Sequence, residues 1–137
     1  KDLGFLMIET MKKEKGLGLA APQIGESKRI FVVETENQPQ IFINPKLAKK
    51  SREKEVMEEG CLSLPGLFLK IKRAKEVEVE ALNLRGEEMR VKAKGLIARI
   101  FQHELDHLNG ILIIDKIPFW QKWKTQKIIK KIIQKEV

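Results

Sequence analysis

The chain has a single cysteine in 137 residues, so no internal disulfide can form and nothing points to an oxidising compartment. No apolar run approaches the roughly 18 residues of a membrane span. The opening KDLGFLMIET is broken by Glu9 and followed by charged residues from Lys12 to Lys15, so no signal-peptide core is visible. The expected location is the cytoplasm, with an organelle matrix after import as the other option. No repeat, low-complexity stretch or internal boundary appears, and the expectation is one domain over residues 1–137. The chain starts at Lys, already within a helical pattern, which suggests a segment upstream.

Acids are scarce at the end. Residues 116–137 hold seven lysines against Glu136, a charge of +6 out of the total of +8, which leaves +2 for residues 1–115. A basic tail suits nucleic acid, an anionic membrane surface or a solvated face. Histidine is scarcer still. There are two, and both fall in one pentapeptide, His103-Glu104-Leu105-Asp106-His107.

What is present reads as alternating short elements. Asp2 to Lys15 is an amphipathic helix with Leu3, Leu6, Met7, Thr10 and Met11 on one side, ended by Gly16. Residues 16–25 (GLGLAAPQIG) form a glycine-punctuated loop. Strands follow at Arg29 to Glu34 and at Gln40 to Asn44, the second stopped by Pro45. Lys46 to Glu55 is polar, a loop or short strand. Glu58 to Gly66 (EEGCLSLPG) is too apolar in its middle for a plain loop. Glu76 to Leu84 alternates as a half-buried antiparallel strand does, and Arg85-Gly86 turns it into a return strand at Glu88 to Lys94. Gly95 to Leu108 is a helix with Leu96, Ile97, Ile100, Phe101, Leu105 and Leu108 on its apolar side. A short apolar run at Ile111 to Ile114 precedes a basic amphipathic helix over 118–137, whose packing candidates are Trp120, Trp123, Ile128, Ile129, Ile132 and Ile133. Strands in the middle with helices at the start, late centre and end make the fold class α+β rather than βαβ.

The pentapeptide has the spacing H-E-x-x-H. Residues four apart stack on one helix face, so both imidazoles can face one ion, and Glu104 sits where it can take and return a proton. Phe101 and Leu105 mark the helix as largely buried, and imidazoles buried there need partners. Asp106 is read as a structural or surface hydrogen-bonding group. A catalytic metal needs a third protein ligand and an open position. Downstream of His107 there is no histidine, and the acids are Asp115 and Glu136. The remaining candidate is Cys61. A lone cysteine is most often a small buried hydrophobe, but beside Gly60, and in a chain short of one ligand, it is a plausible thiolate donor for a borderline or soft divalent ion. Gly16 to Ala21 matches the dinucleotide pattern G-x-G-x-x-A. That pattern requires a strand before and a helix after, whereas a charged helix end precedes it and Pro22 blocks a long helix, so the match is rejected. The loop can instead offer a backbone edge, with Gln23 as a neutral donor where an oxyanion develops.

GLGLAAPQ, EGCLS and QHELDH, in this order and spacing, resemble the peptide deformylase family, over about residues 3 to 118. The resemblance implies an α+β fold with antiparallel or mixed sheets packed around a central helix that carries HExxH, plus a C-terminal helix. It implies Cys61, His103 and His107 as metal ligands and Glu104 as catalytic acid and base. Gln23 and the backbone N–H of Leu62 would polarise a formyl oxygen, and Gly18 and Gly60 would bind substrate backbone. Leu17, Met57, Leu96, Arg99 and Ile100 would line a pocket for a methionine-like side chain, Arg99 through its stem. The implied reaction is removal of the formyl group from N-formyl-methionyl peptides and nascent chains. The implied cofactor is one divalent ion, iron(II) foremost, with zinc, nickel or cobalt compatible with the same ligands. The expected protein is a monomer without membrane contact, and the tail is a candidate for contact with the ribosome.

The chain departs from the family in three places. The usual N-terminal segment with a Pro-Asp-x-x-Leu-Arg-like stretch is absent, Gly66 stands where many members have Glu, and the basic helix runs well past the last motif. Two other readings stay open: a catalytically silent relative that binds a peptide or metal, and a zinc peptidase of the general H-E-x-x-H kind.

Overall fold

The computed structural model describes residues 2–36, 38–61 and 64–117, with backbone alone at 61, 64–67 and 114. The basic tail at 118–137 lies outside the described residues. Helix α1 runs Asp2–Lys13, β1 Gly18–Ala20, a 3-10 turn Ala21–Ile24, β2 Ile30–Thr35, β3 Gln38–Lys50, β4 Lys54–Cys61, β5 Leu64–Ala74, β6 Glu76–Leu82, β7 Glu88–Lys94, helix α2 Leu96–Leu108 and a second 3-10 turn Ile113–Lys116. The strands form a five-stranded sheet in the order β1-β2-β3-β6-β7 and a separate two-stranded sheet, β4-β5. Every ladder is antiparallel. The arrangement is the α+β class expected.

Strand alternation sorts the large sheet into two faces. Phe31 and Val33 of β2, Phe42 of β3, and Val77, Val79 and Ala81 of β6 join Ala98, Ile100, Phe101 and Leu105 of α2 in one buried cluster. Val32, one position out of phase, turns to the other face and packs with Met7 and Met11 of α1, Leu19 and Ala21. The sheet is thus covered by α2 on one face and, at its β1-β2-β3 end, by α1 on the other. Phe31, Phe42 and Phe101 meet beneath α2 with ring centroids 4.9 to 5.9 Å apart, in the offset and edge geometries aromatic rings favour. Arg29 donates to the Leu108 carbonyl and to Asn109 Oδ1, a cation at the negative end of α2.

Several expected boundaries move. Pro45 does not stop a strand: β3 continues to Lys50, taking in half of the polar stretch expected as a loop or short strand, with a register shift against β6 between Ile43 and Lys46. An irregular pairing of this kind is where a ladder tolerates a residue without an N–H. The glycine loop contains a short strand and a 3-10 turn. Residues 64–74, of which 67–74 had no element in the sequence reading, are the return strand of the β4-β5 hairpin. The first helix stops at Lys13, and Leu6 is exposed rather than on its packed side. Leu96 is exposed as well, and Ala98 takes a place on the packed stripe of α2 instead. The apolar run at 111–114 passes into a 3-10 turn, where the Leu112 N–H is capped by Asp115 Oδ2 at 2.9 Å. Among the described residues no helix is long and apolar enough to cross a membrane.

Candidate metal centre

Helix α2 is buried on three sides, and its 3.6-residue period gives each side a separate task. Ala98, Phe101 and Leu105 pack on the sheet. Ile100, Glu104 and His107 fall on a second stripe, and Arg99, His103 and Asp106 on a third. His103 and His107 come together where the second and third stripes adjoin. Their Nε2 atoms are 3.1 Å apart. Two nitrogens each 2.0–2.1 Å from one ion at a near-tetrahedral angle stand about 3.3 Å apart, so the pair converges as two ligands of one ion must. His103, Glu104 and His107 offer donor atoms that lie within 4.8 Å of one another.

The outer nitrogen of His103 is fixed. Its Nδ1 lies 2.8 Å from Glu59 Oε1. A carboxylate accepts and cannot donate, so Nδ1 carries the proton and Nε2 presents its lone pair inward. Glu59 is held as an anion by its surroundings. Burial alone would push its carboxyl up, but hydrogen bonds from His103 and Arg73 and the charge of Arg73 outweigh that and hold it at about 2. The same exchange, with Asp106 added, raises Arg73 despite its own burial. The donor set therefore fits a divalent ion: two imidazoles with converging Nε2 atoms, that of His103 freed as a lone-pair donor by Glu59.

The backbone brings the three motifs toward one place. At Gly18 an added Cβ would sit 2.5 Å from Glu104 Oε2 and 2.9 Å from Ile100 Cγ2. Only a residue without a side chain lets β1 lie against the acid of α2. Three residues after β1 ends on Ala20 lies Gln23, whose Oε1 accepts the Ala20 N–H at 2.8 Å. With its carbonyl end engaged by backbone, the amide is oriented, and its NH2 group is the end turned away. On the other side, Glu59 touches His103 and lies two residues before Cys61. A strand advances roughly 3.3 Å per residue, so the Cys61 backbone ends β4 within about 7 Å of Glu59. The side chain of Cys61 and the whole of Leu62 lie outside the described residues.

The expected pocket residues divide. Ile100 is buried against the Gly18 backbone, and Leu17, Met57 and Leu96 are exposed apolar side chains. Arg99 ends in a buried guanidinium that bonds Glu59 and the carbonyls of Ile71 and Glu55. Gly60 lies beneath the exposed Phe68, whose ring a Cβ at Gly60 would meet at 2.7 Å. Asp106 has the structural role expected of it, accepting from Arg73 at 2.7 Å. Asp115 is committed to its cap on Leu112 and is no substitute ligand. A cleft of about 530 Å³ lined by Lys49, Lys50, Lys92 and Lys94 lies at the β3-β6-β7 side of the sheet and holds none of these groups. The sequence reading missed Glu59 and Arg73. The signal was there: an acid and an arginine each within two residues of apolar strand positions, where a charge survives burial only if paired.

The model of the polypeptide deformylase family matches residues 1–123. The peptide deformylase of Thermotoga neapolitana is 53% identical over 111 residues, 81% of this chain and 68% of that protein. That of Halothermothrix orenii is 56% identical over 113 residues, 81% of this chain and 73% of that protein. Among solved structures, the Thermotoga maritima peptide deformylase superposes with a TM-score of 0.79 at 52% identity, covering 82% of this chain and 76% of that one. The Ehrlichia chaffeensis peptide deformylase reaches 0.90 at 39% identity, covering 99% and 82%. The chain belongs to the polypeptide deformylase family, metal-dependent hydrolases that remove the N-formyl group from newly made proteins.

Proposed function

We propose that His103, His107 and Cys61 hold one divalent ion in this chain and that Glu104 and Gln23 carry out the deformylation around it. The observation that supports this most strongly is the approach of the Gly18 backbone to Glu104, which places the glycine loop beside the acid of the metal helix. When bound, the ion supplies Lewis acidity and lowers the pKa of a water, with iron(II) the proposed resident and zinc, nickel or cobalt able to take the same ligands.

The chain's own groups do the rest. Glu104 accepts a proton from the attacking water and later delivers it to the departing amine. The Gln23 amide and the Leu62 N–H donate to the oxygen of the formyl carbon as it becomes an oxyanion. Gly18 and Gly60 lie on the loop and strand edge along which the backbone of a formyl-methionyl peptide binds. Leu17, Met57, Leu96 and Ile100 give its methionine side chain an apolar surface. Glu59 keeps His103 in one tautomer throughout. The protein acts as a cytoplasmic monomer on nascent chains, and its basic tail suits RNA phosphates, a contact that added salt would weaken.

The test is Glu104→Ala. Its expected result is turnover reduced to background with the metal content of the wild type, measured by formate release and by elemental analysis. Loss of the ion together with activity would make Glu104 a ligand instead.

A further inference from the structure

Cys61 sits on the β4-β5 hairpin, and both histidines sit on α2. Among the described residues the hairpin shares no ladder with the five-stranded sheet, so no strand pairing holds it against the helix. Side-chain bonds across this junction do. Gln102 of α2 clamps Ala74 of β5, accepting from its N–H at 3.0 Å and donating to its carbonyl at 2.9 Å. Deeper in, Arg73 of β5 holds Glu59 of β4 with two bonds, Nε at 2.6 Å and one terminal nitrogen at 2.9 Å. Its other terminal nitrogen bonds Asp106 of α2 at 2.7 Å, one residue before His107. Arg99 of α2 reaches the opposite way. It donates to Glu59 and the Ile71 carbonyl through one nitrogen and to the Glu55 carbonyl, at 2.5 Å, through the other. Glu59, Arg73 and Arg99 are 5 to 7% exposed. Planar guanidinium forks fix direction as well as distance, which a lysine cannot do.

We propose that Arg73 and Arg99 are positioning residues that, through Glu59, lock the strand bearing Cys61 to the helix bearing His103 and His107 and so set the register of the ligand set. This rests on the reading of Cys61 as a ligand. The guanidinium groups of the two arginines bond Glu59, Asp106 and the carbonyls of Ile71 and Glu55. They act on how closely the thiolate is held to the imidazoles, and therefore on how long the ion stays and how it is polarised.

The experiment uses the full chain loaded with cobalt(II), compared as wild type, Arg99→Met, Arg99→Lys and Asp106→Asn. Three readouts are followed below the unfolding transition: the near-ultraviolet thiolate-to-cobalt absorption, the rate of cobalt release to a chelator, and kcat and KM on a formyl-methionyl peptide. Loss of partners that orient ligands costs about 10 to 100-fold in metal affinity or activity. Arg99→Met is expected to release cobalt about that much faster and to shift or weaken the thiolate band, with kcat falling more than KM changes. Arg99→Lys, which keeps the charge and loses the fork, falls between it and wild type. Asp106→Asn leaves both Glu59 contacts intact and keeps the proposal testable should Arg99→Met not fold; it is expected to speed release more mildly. Wild-type band, release rate and kcat in folded Arg99→Met or Asp106→Asn, whatever their melting temperatures, overturn the positioning role. A wild-type protein that binds cobalt without a thiolate band overturns the ligand reading itself, which is a separate result.

Discussion

At Gly18 the geometry leaves no room for substitution. A methyl group there would collide with Glu104 Oε2 and with Ile100, and Glu104 is the proposed acid and base. A displacement of about 1 Å can cost on the order of a hundredfold in rate. Gly18→Ala is expected to lower kcat by roughly that factor while the metal content stays full; a variant with wild-type kcat would show that β1 yields and Glu104 does not move. Glu59 gives a pH dependence at the same scale. Its carboxyl falls from 4.5 to about 2 in the fold, because bonds from His103 and Arg73 outweigh its burial. A depressed carboxylate stabilises the fold above its unfolded value and loses that contribution as pH falls through the folded one. The loss therefore occurs between about pH 4.5 and about 2, and amounts to on the order of 3 kcal/mol for a buried group. Denaturant midpoints of the metal-free protein should drop across that window, and those of Glu59→Gln, lower at neutral pH, should drop less. Parallel curves for the two proteins would contradict the assignment.

At the scale of elements, α2 carries chemistry on two stripes and stability on the third. Phe101 closes the aromatic cluster with Phe31 and Phe42 and is fully buried. Truncating such a ring typically costs about 3–5 kcal/mol, so Phe101→Ala should lower the urea midpoint accordingly with little change in slope. A loss under 1 kcal/mol would mean that the site collapses to fill the space. The apolar period of α2 and the alternation of β6 and β7 were legible in the sequence because one solvent-averse face imposes one period. The length of β3 was not, since its outer half is lysine-rich and its proline sits at an irregular pairing that no local pattern announces. The β4-β5 hairpin was obscured for another reason: its buried residues include Glu59 and Arg73, and the pairing that permits their burial spans 14 positions in sequence. The two histidines and Glu104 could be picked out from spacing alone and Gln23 from its loop, whereas Gly18 came only with the family resemblance. The bonds of the Arg99 guanidinium were not legible, because a side chain of that length fits a pocket wall as readily as a buried ion pair.

For the whole molecule, one sheet between two helices brings β1 and α2 together, and the β4-β5 hairpin brings the strand that ends on Cys61 toward the same helix. On the proposed reading the ligand set is assembled across a junction between two sheets, while Glu104, the proposed acid and base, lies against a strand at the edge of the larger one. A peptidase built on H-E-x-x-H and a deformylase differ in which bond is opened, so the decisive measurement is of products. The full chain, purified without oxygen and loaded with iron(II) or cobalt(II), is incubated with formyl-Met-Ala-Ser. Formate and the released peptides are quantified together. The expected result is one formate for each intact Met-Ala-Ser, absent in Glu104→Ala. Cleavage of a peptide bond, or no formate from fully loaded protein, would contradict it.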